Sequence, residues 1–359
     1  LGLRVLEGAK KVFKTKGPVV IYPSSGTGAW EAALMNTLSP GDGVLMYEVG
    51  QFALLWVDMA KKLGFKVDMV AGDWRNGVNA DVVEEKLRAD KAHAIKAVCM
   101  VHNETSTGIT SSVAAVRKAI DRAKHPALLM VDTISSLGSI DYRHDEWGVD
   151  VAIGGSQKGL MLPPGLSFNA IGERALAANK TAAMPRGYWD WNGMLEANKT
   201  GYFPYTPAIN LLFGLEEAIK MLLEEGLENV FARHERLAEA TRRAAQAWGL
   251  ENQCVNPAQF SATITAIRMP DGFDADELRR VALENFDVSL GTGLNKVKGK
   301  VFRIGHLGDM NELMLAGALS GVEMALSIAG VPFQRGGVTA ALDCFAQAAV
   351  AKPKLAVSA

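Results

Sequence analysis

Asp150-Val151-Ala152-Ile153-Gly154-Gly155-Ser156-Gln157-Lys158-Gly159-Leu160 carries a short apolar run into a turn of small residues that contains a lysine. A run of this length bounded by turn residues reads as a buried strand. Leu162-Pro163-Pro164-Gly165 follows, so no helix continues and the lysine is held at the strand's end. Upstream, Ala127-Leu128-Leu129-Met130-Val131 is a second continuous apolar run, and it ends on Asp132. Strands apolar on both faces belong to a largely parallel sheet with helices on either side. In such a sheet, ligands collect beyond the carboxyl ends of the strands, which is where both Asp132 and Lys158 fall.

Working outward, the spacing predicts strands over 19–22, 43–47, 65–70, 95–102, 127–132, 150–154 and 166–171. Amphipathic stretches at 28–38, 52–63, 80–89 and 112–123 alternate with them, the pattern of a doubly covered α/β domain. The segment 181–207 breaks this rhythm with aromatics, Gly and Pro, and reads as irregular and close to a binding surface. Helical patterns at 208–225 and 227–248 flank Gly226. Strand-like 262–269 and 300–306 then alternate with helical 274–285 and 311–328. The expected organisation is a large domain over 1–225, a smaller α+β domain over 226–345, and a loose tail over 346–359. Residues 1–16 read as a surface helix, since no continuous apolar stretch of a leader follows.

Composition narrows the classes. Lys plus Arg (38) balance Asp plus Glu (39), so no overall field draws the chain to nucleic acid or to an anionic membrane. No apolar stretch approaches the ~20 residues that span a bilayer. Cys99, Cys254 and Cys344 are far apart and form no CxxC, which argues against a disulfide framework or zinc site and for a reducing, cytoplasmic setting. The six histidines form no HxxxH pair, so no metal is expected.

Taken singly, the candidate residues admit two readings each. Lys158 could be a surface lysine in a turn, and Asp132 a turn or helix-cap aspartate. A carboxylate emerging from a buried strand needs a cationic partner, however, and a protonated pyridine nitrogen is one. Ser24-Ser25-Gly26-Thr27-Gly28 lies between a strand and a helix, where hydroxyls and free amides cradle an anion. A dinucleotide fingerprint fits poorly there, because Glu31 stands where the third glycine belongs. Phe52 could be core, and Arg303 in Val301-Phe302-Arg303-Ile304 could pair with a structural acid.

In register along almost the whole chain, Ser25-Gly-Thr-Gly-Ala-Trp-Glu-Ala32, Leu38-Ser-Pro-Gly-Asp42, His102-Asn-Glu-Thr-Ser-Thr-Gly108, Asp145-Glu-Trp-Gly-Val-Asp150, Gly155-Ser-Gln-Lys158, Pro204-Tyr-Thr-Pro207 and Gly299-Lys-Val-Phe-Arg-Ile-Gly-His-Leu-Gly308 resemble the class V aminotransferases. Gly293-Leu-Asn-Lys-Val297 and Gly321-Val-Glu-Met324 are most similar to the serine–glyoxylate branch. The resemblance implies a fold-type I pyridoxal-phosphate enzyme: a large domain with a mainly parallel seven-stranded sheet, plus the smaller C-terminal domain.

It further implies that Lys158 bonds to pyridoxal 5'-phosphate and Asp132 holds the pyridine nitrogen. Ser25, Gly26, Thr27 and Gln157 meet the phosphate, Phe52 stacks on the ring, and Thr105 bonds near the phenolic oxygen. Tyr205 and Thr206 reach the phosphate of a neighbouring subunit in a homodimer, with Tyr202 the alternative tyrosine because Phe203 occupies the family's usual position. Arg303 grips the substrate carboxylate. The implied reaction is transamination of glyoxylate, with L-serine as donor and hydroxypyruvate and glycine as products. Alanine or aspartate as donor, and more distantly a class V lyase such as a cysteine desulfurase, remain alternatives. The family's N-terminal Pro-Gly-Pro segment precedes the point where this chain starts, so closure of the substrate site is expected to be incomplete without it.

Overall fold

The computed structural model of the chain describes residues 1–351. Helix α1 (Gly2–Phe13) buries Val5, Leu6, Ala9, Val12 and Phe13 along one stripe and stops at Lys14, which turns left-handed. Strand β1 (Val19–Tyr22) and helix α2 (Gly26–Thr37) follow. Next come β2 (Gly43–Tyr47), α3 (Gln51–Lys62), β3 (Lys66–Val70), α4 (Ala80–Ala89) and β4 (Ile95–Val101). A two-stranded hairpin, β5 (Asn103–Glu104) and β6 (Ile109–Thr110), leads into α5 (Val113–Arg122). Strands β7 (Leu128–Asp132), β8 (Val151–Gly155) and β9 (Ser167–Ile171) complete the main sheet. Asn79 and Ser112 cap α4 and α5 with side-chain bonds to the backbone, as short polar residues at these positions should.

The seven strands lie in the order β1-β9-β8-β7-β4-β2-β3. β9 runs antiparallel to both β8 and β1, and the remaining pairs are parallel. The expectation of a mainly parallel seven-stranded sheet therefore holds. Every residue of β1, β7, β8 and β9 is buried. One face packs on Phe13, Leu212, Leu215 and Ile219, and the other on Trp30, Leu34, Trp56 and Trp191.

Helix α6 (Glu173–Asn179) and helix α7 (Trp191–Asn198) follow β9. The second of these corrects the reading of 181–207 as irregular throughout, because Asp190 caps it by accepting from Asn192 and Gly193. The long helices α8 (Ile209–Glu225) and α9 (Leu227–Ala247) meet at Gly226, whose φ of 82° suits glycine. Strand β10 (Ile264–Arg268), helix α10 (Ala275–Phe286), β11 (Gly291–Thr292) and β12 (Val301–Gly305) then form a three-stranded antiparallel sheet with one covering helix. With α11 (Glu312–Ile328) and α12 (Gly337–Ala351) they enclose a separate apolar cluster around Leu237, Trp248, Phe302 and Leu319. Helix α12 runs through 346–351, which the sequence reading assigned to a tail; the rest of that stretch, 352–359, lies outside the described residues.

Candidate active site

Asp132 is the last residue of β7, paired in register with Val101 of β4 and Ile153 of β8. It is 3% exposed. Oδ1 accepts the backbone N–H of Ile134 at 2.7 Å, and Oδ2 accepts the indole N–H of Trp30 at 3.0 Å. Burial pushes its pKa up to about 7, with the two hydrogen bonds and Lys158 opposing the shift and Glu104 adding to it. A carboxylate so placed calls for a cation, and among the described residues none forms an ion pair with it, Lys158 acting only from a distance.

Lys158 follows β8 in a pinned turn. Ser156 accepts from Leu166 N through its hydroxyl, donates to Pro163 O and receives Leu162 N on its carbonyl. Met161 adopts φ 60° to close the turn back on the Lys158 carbonyl. The ammonium has a depressed pKa, first from burial and then from Arg303, with Asp132 opposing. Beside it, Gln157 Oε1 is buried without a partner. A half-turn of that amide would present an N–H in the same place.

Ser25 is the N-cap of α2, and its hydroxyl makes no capping bond. Ser25 and Thr27 are exposed, while Gly26 between them is buried. A Cβ on Gly26 would sit 2.2 Å from Ile134 Cδ1, so a larger residue at this helix start would have to displace the Ile134 side chain. The first turn of α2 thus offers free amides and two hydroxyls to an anion.

Phe52 stands half-buried in the first turn of α3. Thr105 is half-buried in the turn between β5 and β6, and its carbonyl accepts Arg303 Nη1 at 2.7 Å. Arg303, on β12, also donates from Nε to Thr292 O at 2.8 Å, while Nη2 makes no hydrogen bond among the described residues. Burial lowers its pKa and Glu104 counters this. The guanidinium is therefore oriented by two carbonyls with one edge left for a ligand.

Tyr205 turns onto its own chain, its hydroxyl donating to Ile21 O at 2.5 Å and its ring stacked on Tyr188. Thr206 is exposed, and Tyr202 is 74% exposed. His102 and His306 are buried with local partners, Ser136 and Thr265, and burial pushes them down to about 4 and about 3. Cys344 lies buried in α12 with a raised pKa, and Cys99 and Cys254 are buried as well. No thiol is thus placed as the nucleophile that a desulfurase needs. Sequence reasoning assigned no role to Trp30 and none to Glu104, whose carboxylate is wholly buried at the site. Both sit inside the motifs quoted above, and a charge inside the run 102–108 was the available signal.

Together these residues present an anion cradle, a half-buried aromatic side chain, a buried carboxylate in no ion pair among the described residues, an amine of lowered pKa and an oriented guanidinium. That donor set fits a phosphorylated pyridine aldehyde with a carboxylate-bearing substrate beside it. Residues 6–303 match the family described as Aminotransferase class-V. The chain is 51% identical to serine–glyoxylate aminotransferase of Arabidopsis thaliana, covering 96% of this chain and 86% of that one. It is 49% identical to L-aspartate–glyoxylate aminotransferase of Paracoccus denitrificans, covering 98% and 89%. Among solved structures, the pyridoxamine–pyruvate aminotransferase of Mesorhizobium loti superposes with a TM-score of 0.91 at 28% identity, covering 97% and 89%.

Proposed function

The chain belongs to the class V aminotransferases, a family of pyridoxal-phosphate enzymes, and from that premise we propose that it transfers the amino group of L-serine to glyoxylate. Bound pyridoxal phosphate supplies an aldehyde for exchange of amino groups and a ring that stabilises negative charge at the substrate's α-carbon. Lys158 would carry the cofactor and act as the base at that carbon. Burial and Arg303 lower its pKa, which favours the neutral amine that such a base needs. Asp132 would hold the ring nitrogen and keep it protonated. The N-terminus of α2 with Ser25, Gly26 and Thr27, together with Gln157, takes the phosphate. Phe52 would cover the ring, and Thr105 would stand near its phenolic oxygen.

Arg303 receives the carboxylate common to serine and glyoxylate through the edge its two carbonyl partners leave open. The observation that favours serine over aspartate is the supply of cations. Arg279 is held by Leu290 O and Asp276, and Lys296 is paired with Glu48. Among the described residues these two cations are each paired with a carboxylate while Arg303 is in no ion pair, and a second substrate carboxylate would need another unpaired cation. Alanine as donor is the remaining alternative. A donor panel with glyoxylate tests the reading: serine should give the highest kcat/KM, and preference for aspartate or alanine would overturn it.

The proposal includes a homodimer in which the segment around Tyr205 and Thr206 approaches the neighbour's phosphate site, with the exposed Tyr202 as the tyrosine freer to reach it. It also includes a cofactor-binding unit over 1–225, a smaller unit over 226–345 and a cytoplasmic location. No helix among the described residues is long and apolar enough to cross a membrane.

A further inference from the structure

Glu104 is 0% exposed. Its Oε1 accepts from Ser106 N at 3.0 Å and Ser106 Oγ at 2.7 Å, and its Oε2 from Phe52 N and Ala53 N, each at 3.1 Å. Ser106 Oγ in turn accepts the N–H of Gln51 at 2.9 Å. The opening amides of α3 are thus all taken by one carboxylate and the serine it holds. Burial pushes the Glu104 pKa up, but four donors and no acceptor surround it, so the ionised form is the one whose hydrogen bonds this pocket satisfies, and the N-terminal end of α3 favours the same charge. Gly50 admits the close approach, because a Cβ there would lie 2.4 Å from both Glu104 Cγ and Ser106 Oγ.

What hangs on this carboxylate is the site itself. Phe52 is bonded to it directly, and Thr105, whose carbonyl steers Arg303, is its neighbour in the hairpin turn. Its charge also reaches further, raising the proton affinity of Arg303 and of Asp132.

We propose that Glu104 is a positioning residue of the active site, fixing the Phe52 ring and the Thr105 carbonyl with one buried carboxylate and supplying the negative charge against which Arg303 and Asp132 are set. Ring, guanidinium and nitrogen-binding carboxylate are thereby pre-organised before any ligand arrives. The inference rests on the aminotransferase reading for what the site binds, but its central test does not need turnover.

In cofactor-free protein, Glu104→Gln should make the amides of Phe52 and Ala53 exchange roughly three- to thirty-fold faster, the usual effect of losing a helix cap. Removal of the charge should also move the carboxyl 13C titration of Asp132 to lower pH. In the loaded enzyme, KM for serine and for glyoxylate should rise together by roughly tenfold, more than kcat falls. Glu104→Asp should restore the Asp132 midpoint but not the exchange protection. Unchanged exchange at Phe52 and Ala53, or an unmoved Asp132 midpoint alongside a lower Tm, would overturn the proposal. If Glu104→Gln does not fold, Ser106→Ala reads the same point. It should speed exchange at Gln51 while leaving the Asp132 midpoint in place, and protection at Gln51 equal to the parent would count against the arrangement. Absence of serine–glyoxylate activity in the parent protein would remove the functional reading and leave the exchange and titration results standing.

Discussion

The indole N–H of Trp30 points at Oδ2 of Asp132 from 3.0 Å, so a residue of the second helix and a residue of the sheet's central strand share one proton contact beneath the site. Trp30 is itself held by stacking on Trp56, with ring centroids 5.7 Å apart and planes within 12°. The carboxylate is therefore fixed in direction by a rigid donor, with its backbone partner at Ile134 on the other oxygen.

Trp30→Phe keeps an aromatic ring against Trp56 and removes the donor. A hydrogen bond to a charged group contributes about 1.5–3 kcal/mol, so the cofactor dissociation constant should rise roughly ten- to hundred-fold. Fluorescence titration of the cofactor-free variant measures it, and affinity equal to the parent's would take Trp30 out of the site.

Asp132 gives the cofactor-free protein a pH signature. Its folded pKa stands near 7 against an ordinary 3.8. Between these values the folded chain binds more protons than the unfolded one, so this residue lowers stability as pH rises from about 4 to 7. The loss is several kcal/mol at most, by order of magnitude. Urea unfolding at pH 5 and pH 7.5 should show a steeper decline in the parent than in Asp132→Asn, and bound cofactor should flatten the parent's slope. Asp132→Asn should still bind cofactor, yet lose most turnover. Equal slopes in parent and variant would contradict the assignment.

Lys158→Ala should fold, because the turn around it is held by Ser156 and Met161 rather than by its own side chain. Borohydride treatment of the loaded parent should fix cofactor on the peptide containing Lys158, and the variant should show none. Trapping on another lysine would sink the role.

Arg303→Met removes the fork from a half-buried site and should cost about 2–5 kcal/mol, roughly 30- to several-thousand-fold in substrate binding. Arg303→Lys keeps the charge but not the planar pair of donors, and should recover only part of this. Steady-state kinetics with both substrates separates the outcomes: the two KM values should move together. A change confined to one substrate would show that something else holds the other.

Assembly is open to sedimentation. The parent should run as a dimer, and Tyr202→Ala should weaken cofactor binding without disturbing Tyr205, whose hydroxyl is spent on Ile21. A monomer with full activity would be incompatible with a shared phosphate site.

Much of this was legible in the sequence because burial leaves a strong trace. Strands with both faces covered are written as unbroken apolar runs, and β7 and β8 could be placed with the residues that end them. Strand direction leaves no such trace. Ser167–Ile171 reads the same either way, so the reversal of β9 emerges only from its pairing with Ala152 and Val20 neighbours across the sheet. Helix α7 was hidden by Trp, Asn and Gly in a short span, although Asp190 two residues before Asn192 was an available cap. The run 346–351 was mistaken for a tail because it ends the chain, yet Ala-Gln-Ala-Ala-Val-Ala is a strong helix former. Glu104 was missed for a different reason: two of its four donors come from residues some fifty positions away, and no local pattern records them.

The reversed strand has a consequence for how the chain must be made. β1 pairs with β9 alone, and its four buried residues have no other edge to join. During synthesis, Val19–Tyr22 therefore leaves the ribosome as a fully apolar segment whose mate lies nearly 150 residues downstream. The phosphate cradle hangs from the end of that strand, so it cannot be set against Lys158 until residue 171 has emerged. Contacts of such long sequence separation form slowly and leave edges open to misassociation meanwhile. Until that strand has emerged, a nascent chain of this protein is thus a natural client for chaperones, and cofactor can be captured only afterwards.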